Sequence, residues 1–170
     1  MITKIDDIKP LLLKGRSDPT RVLPRLRSLA ASESWQEREV AATALVQLAK
    51  RHPEAVLAAA TKWATASDAN VRRAASECLR GLVQRDPHGV RPILEELRQD
   101  EDLYVKKSVA NVLRNATRTQ PDFVLDLCAD WARSTNPHTR WIVRDGLRKM
   151  KATHPTRAKL VLELLQIATA

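Results

Sequence analysis

Apolar residues recur along this chain with the 3.6-residue spacing of an amphipathic helix. The helical stretches themselves recur every 34 residues. Val40, Ala41, Ala44, Leu45 and Leu48 are matched one period on by Ala74, Ala75, Cys78, Leu79 and Leu82. Val109, Val112, Leu113 and Ala116 follow, then Ile142, Val143, Leu147 and Met150. Two ladders keep strict phase: Leu11, Leu45, Leu79, Leu113 and Leu147 form one, and Leu29, Trp63, Leu97, Trp131 and Leu165 the other. Each period is therefore predicted to hold two helices that bury one stripe each. The first starts after Ser34, Asp68, Asp102 or Asn136, all helix N-cap types, and runs for example from Trp35 to about Arg51. Ser34 with Glu37 reads as a capping box, and Asn136-Pro137 places proline at the first helical position. The second helix starts at the recurring proline (Pro19, Pro53, Pro87, Pro121, Pro155) and runs for example from Pro53 to about Ala66.

The connections are short: KRHP, QRDP and RTQP inside a period, SDAN, DEDL and TNPH between periods. Loops of that length force antiparallel neighbours, so the helices stack as hairpins. A fixed period of this size specifies an all-α solenoid, here about five helical hairpins in a single domain over residues 1–170. Residues 1–33 form a degenerate N-terminal capping repeat, with Asp6, Asp7 and Pro10 where later repeats are apolar. Residues 34–67, 68–101 and 102–135 are full repeats, and 136–170 the C-terminal one. Its last helix, from Lys159 to Ile167, is apolar enough to cap the stack or to contact another chain. A tetratricopeptide array shares the 34-residue period but needs small and aromatic residues in columns where this chain has none; the VRRAA-type helices suit HEAT-like repeats.

Composition removes several function classes. No apolar run approaches the roughly 18 residues of a membrane span, and MITKIDDIKP carries acids where a secretory signal is apolar. Cys78 and Cys128 fall at apolar phases far apart, as buried inert thiols of a protein in a reducing cytoplasm. There is no Gly-rich phosphate loop and no nucleophile–histidine constellation. His52 and His154 share the phase just before the recurring proline and read as cap residues, while His88 and His138 are isolated. Neither metal nor cofactor is expected, and the chain is expected to act as a monomer.

The charge of +9 points to a polyanionic partner. Opposite the core, the leading helices carry a stripe at i, i+4, i+7 and i+11, one helical face. It runs Glu39, Thr43, Val46, Lys50; Arg73, Glu77, Arg80, Gln84; Lys107, Asn111, Arg114, Arg118; Trp141, Asp145, Arg148, Ala152. An adjoining column is basic throughout: Arg38, Arg72, Lys106, Arg140. The second helices are acidic or mixed, with Glu54, Glu95, Glu96, Asp122, Asp126, Asp130 and Glu163. Charge is thus sorted onto one surface, where a row of cations can track a phosphate backbone and release its counterions. Phosphate binding leaves three features unexplained. Trp141 lies at a polar phase, where it either stacks on a base or sugar or covers a neighbouring helix. Trp35 and Glu39 lie one turn apart, with Arg73 at the phase of Glu39 in the next repeat. A carboxylate there either neutralises its neighbours or does chemistry.

The stretches from Asn70 to Leu82, LYVKKSVANVL, QPDFVLDLCADW and NPHTRWIVRDGLR resemble the HEAT-like-repeat DNA alkylation repair proteins, the alkylpurine DNA glycosylases of the AlkC and AlkD type. The likeness runs from about Ser34 to Met150. It implies a basic face that cradles duplex DNA and excises alkylated purines. An aromatic and an acid stabilise the charge that develops on the sugar as the base leaves. By this resemblance Trp35 and Glu39 are the catalytic pair, Glu77 an alternative acid, and Arg73 a holder of the backbone near the lesion. The other basic residues named above, with Asn111 and Trp141, would line the DNA-binding face. The chain departs from the family's pattern in having one degenerate repeat before the pair, Glu where some relatives carry Asp, and Asn111 where some carry an aromatic. Three readings follow: a glycosylase, a DNA-binding relative without hydrolytic activity, and a scaffold for an acidic protein partner.

Overall fold

The computed structural model describes residues 8–167, and every regular element among them is helical. The N-terminal hairpin comprises α1 (Ile8–Gly15), a 3-10 turn (Pro19–Arg21) and α2 (Leu23–Ala30). The next repeat is α3 (Trp35–Ala49) and α4 (Pro53–Ala64), followed by α5 (Ala69–Glu77), α6 (Leu79–Leu82) and α7 (Pro87–Leu97). Then come α8 (Leu103–Ala116) and α9 (Pro121–Ala132), and finally α10 (Pro137–Gly146), α11 (Met150–Thr153) and α12 (Pro155–Ile167). Asp6 and Asp7 lie outside the described residues.

Each recurring proline opens its helix, where its missing N–H costs nothing. The residue before it is driven out of the helical region, as His52, Asp86 and Gln120 show with φ of −128°, −137° and −135°. Helices end slightly before the expected positions: α3 stops at Ala49 and α4 at Ala64. In the first case Arg51 and His52 both donate to the Leu48 carbonyl, at 3.0 and 2.8 Å, which tightens the last turn before the proline.

Three of the four cap residues act through their side chains. Asp68 accepts from the Val71 N–H, Asp102 from those of Tyr104 and Val105, and Asn136 from those of His138 and Thr139. Ser34 does not, so the capping box with Glu37 is not formed: its hydroxyl lies 2.8 Å from Gln36 Oε1. His52 is likewise no side-chain cap; its Nε2 lies 2.9 Å from the Arg16 carbonyl oxygen and ties two successive repeats together.

Leading helices α3, α5, α8 and α10 pack on one another in order, and α2, α4, α7, α9 and α12 back them as a second layer. Between the layers runs one continuous apolar core from Ile8 to Leu165. It holds Leu45, Leu79, Leu113 and Leu147 of the first ladder and every member of the second, including Trp63 and Trp131; Leu11 packs against its edge. Each such side chain contributes about 1.5–3 kcal/mol by leaving water. Gly146 allows α10 to approach α8 closely, because a Cβ there would lie 2.8 Å from Leu113 Cδ1 and 3.2 Å from its Cβ. The C-terminal helix α12 turns Ala158, Val161 and Leu165 onto the stack and leaves Leu160 and Ile167 in solvent. No helix among the described residues is long and apolar enough to cross a membrane.

Candidate nucleic-acid interface

In the basic column that follows the caps, Arg38, Arg72 and Arg140 are engaged by the backbone behind them. These guanidinium groups reach back to carbonyls just past the end of the preceding helix. Arg38 donates to the carbonyls of Ser32 and Glu33, both at 2.8 Å. Arg72 donates to those of Ala66 and Ser67 at 2.9 and 2.8 Å, and Arg140 to that of Ser134 at 3.3 Å. Helix ends leave carbonyls without partners, and a cation placed one turn into the next helix satisfies them. Arg72 also holds Asp100 through two bonds of 2.6 and 3.1 Å, and this carboxylate contact raises its pKa. Arg140 is buried and donates to the Leu165 carbonyl. Lys106, the fourth member, lies 3.1 Å from His138 Nδ1 and 6.0 Å from the centroid of Trp141. Trp141 itself is half-buried and packs against the core.

The stripe is where the outward charge lies, and its three carboxylates are all engaged by arginines. Arg73 stands between two of them, 4.0 Å from Glu39 and 3.9 Å from Glu77. Glu77 is also gripped by Arg80 at 3.0 Å and is nearly buried. Asp145 accepts from Arg114 and, at 3.2 Å, from Arg148. Lys50, Lys107 and Arg118 enter no ion pair among the described residues, and Lys107 lies 5.5 Å from the ring of exposed Tyr104. Arg73, Glu77, Tyr104, Lys107, Ser108, Asn111 and Arg114 surround an open depression of about 380 Å³ between α5 and α8. The hydroxyl of Ser108 is buried there without a hydrogen-bond partner. Sequence reasoning overlooked Tyr104 and Ser108: the first shares its phase with Gln36, Asn70 and His138, and the second with the apolar Val40, Ala74 and Ile142, so neither stood out.

Trp35, the first residue of α3, is 65% exposed. Glu39 follows one helical turn later, its side chain half in solvent and, among the described residues, held by the long Arg73 contact alone. The two candidate acids therefore differ. A carboxylate fixed between two guanidiniums, as Glu77 is, has its charge already answered. Glu39 keeps an open side from which it can meet a developing positive charge. No group of His, Cys, Asp and Glu among the described residues is arranged to hold a metal ion. Burial pushes the thiols of Cys78 and Cys128 up to about 12, and both stay protonated.

Two layers of 34-residue helical hairpins, with cations, an exposed indole and an open carboxylate on the outer face of one layer, define a HEAT-like solenoid suited to a polyanion. Residues 9–150 match the family described as DNA alkylation repair enzyme, and the chain belongs to that family. The Pseudomonas fluorescens alkylpurine DNA glycosylase AlkC, solved with DNA containing an abasic site analogue, is 31% identical with a TM-score of 0.76. The match covers 91% of this chain and 44% of that one, so this chain spans under half the length of its relative. Two solved structures from Streptococcus mutans share the fold. One is smu.31 (23% identity, TM-score 0.71, 85% of this chain and 74% of that one). The other is AlkD2 (22%, 0.70, 85% and 72%). No protein of curated function matches the chain.

Proposed function

We propose that this solenoid, acting as one monomeric unit in the cytoplasm, cradles duplex DNA against the outer face of its leading helices and excises alkylated purines there. The single observation that carries the reading is the half-exposed carboxylate of Glu39, one turn from exposed Trp35 and 4.0 Å from Arg73, on a face whose other two carboxylates are each gripped by two arginines. Family membership supports it. A phosphate backbone is attracted by Arg73, Arg80, Lys107, Arg114 and Arg148, with Asn111 offering hydrogen bonds. An N-alkylated purine is cationic and leaves readily. As the N-glycosidic bond lengthens, positive charge moves to the sugar, and Glu39 lies open to stabilise it. Trp35 supplies a flat apolar wall that packs on the sugar without competing for protons. The cationic purine departs neutral with the bonding electron pair, and water adds to the sugar carbon and gives up its proton to solvent.

The test is release of a methylated purine from duplex DNA. Glu39→Gln is expected to slow release by about 10²–10³-fold while leaving DNA affinity near that of the parent. Glu77→Gln should instead loosen Arg73 and Arg80 and weaken binding. If the parent protein retains DNA but releases no base, the chain is a binding member of the family and the catalytic reading fails.

A further inference from the structure

Between the C-terminal end of α8 and the segment α11 to His154 lies a second depression, of about 580 Å³. Arg114, Asn115, Arg118, Lys149, Thr153 and His154 stand around it, and no carboxylate lines it. That distinguishes it from the depression between α5 and α8, where Glu77 answers part of the charge. Arg114 belongs to both walls. Its guanidinium is fixed by Asp145 on one side and by Asn111 at 3.4 Å on the other, which makes it a rigid partition between the two spaces. Arg118 and Lys149 are exposed and enter no ion pair among the described residues. Both cations line the same carboxylate-free depression, so an anion seated in it would meet uncompensated positive charge. Beside them the Asn115 amide donates to the Asn111 carbonyl at 2.9 Å and keeps a second N–H, while the Thr153 hydroxyl donates to the Lys149 carbonyl at 3.4 Å.

We propose that this depression is a second phosphodiester seat, which holds the DNA backbone beyond the partition after it has crossed the face proposed above. The inference rests on that reading. Lys149, Asn115 and Thr153 lie outside the periodic stripe, so they add a contact that the helical phase alone does not predict. The seat takes one phosphate of the duplex. Its cations neutralise that phosphate and release its counterions, with no discrimination among bases.

The experiment uses a duplex of about two helical turns, in which single phosphates are replaced in turn by neutral methylphosphonates. Affinity is measured across a range of salt for the parent chain, for Arg118→Gln/Lys149→Gln, and for Arg73→Gln/Lys107→Gln. The Arg118/Lys149 pair, which answers one phosphate, should lower the slope of log K against log salt by about 1. It should also become indifferent to one methylphosphonate that weakens the parent. The Arg73/Lys107 pair should keep that sensitivity and lose another. If the Arg118/Lys149 variant keeps the parental slope and every parental sensitivity while the Arg73/Lys107 variant weakens, the second seat does not exist and the main face stands. If neither variant weakens binding, the DNA-cradling reading itself fails, and the second seat with it.

Discussion

Arg72 and Arg73 are neighbours in sequence, and the helix sends them to opposite duties. Arg72 closes the loop behind it and holds Asp100 with side-chain exposures of 19% and 6%, whereas Arg73 stands among the outward carboxylates. Truncating Arg72 leaves two carbonyls unanswered and strips Asp100 of its cation, leaving it the Asp102 N–H at 2.9 Å. Arg72→Ala should therefore cost about 2–3 kcal/mol in urea unfolding while DNA affinity of the folded protein holds. An Arg72→Ala protein that keeps its stability and loses DNA would return this column to the interface. The cysteines give a second residue-scale expectation. Both thiols are held up to about 12 by burial, above their ordinary value of 9.0, so the folded protein binds those protons more tightly than the unfolded chain. The resulting stability is fully present below pH 9 and is lost progressively as pH rises toward 12. Cys78→Ala/Cys128→Ala should show a shallower alkaline decline than the parent. In the parent, a thiol reagent should react only as the protein unfolds.

At the scale of elements, two glycines make opposite predictions. Gly81 lies inside α6 with nothing within 4 Å of where a Cβ would be, so Gly81→Ala should gain about 0.5–1 kcal/mol from helix propensity. For a chain of this size that is roughly 2–4 °C in Tm per kcal/mol, readable by thermal melting. Gly146 meets the Leu113 side chain at the crossing of α8 and α10, and overpacking there costs about 1–3 kcal/mol, more than propensity returns at a helix end. Gly146→Ala should melt lower than the parent. The capping pattern was legible in sequence at Asp68, Asp102 and Asn136. Ser34 failed because its hydroxyl found Gln36 rather than the helix N-terminus. A serine between two side-chain options is decided by rotamers, which spacing does not encode. Asp102→Ala, which removes two capping bonds, should cost about 1 kcal/mol, whereas Ser34→Ala should cost little.

For the whole molecule, the charge of +9 describes attraction, and its distribution decides where that attraction acts. Affinity for duplex DNA should fall linearly in log K against log salt. Arg73→Gln and Lys107→Gln should each lower the slope by about 1, equally for any sequence. A slope unchanged by both would place the partner elsewhere on the solenoid. The 34-residue period by itself determined the all-helical stacked fold, because a repeat that cannot bury its stripe alone must stack on its neighbour. The apolar ladders were equally legible, down to Trp63 and Trp131, since burial follows helical phase. Helical phase also placed Glu39, Arg73 and Glu77 on one face. Only the tertiary structure separated the loop-closing Arg38, Arg72 and Arg140 from the outward cations. A long guanidinium can reach either solvent or a backbone carbonyl, and which it meets depends on where the preceding helix ends in space. The same reason hid Ser108 and Lys149: each is defined by what the neighbouring repeat brings beside it, and periodicity along one chain carries no record of that distance.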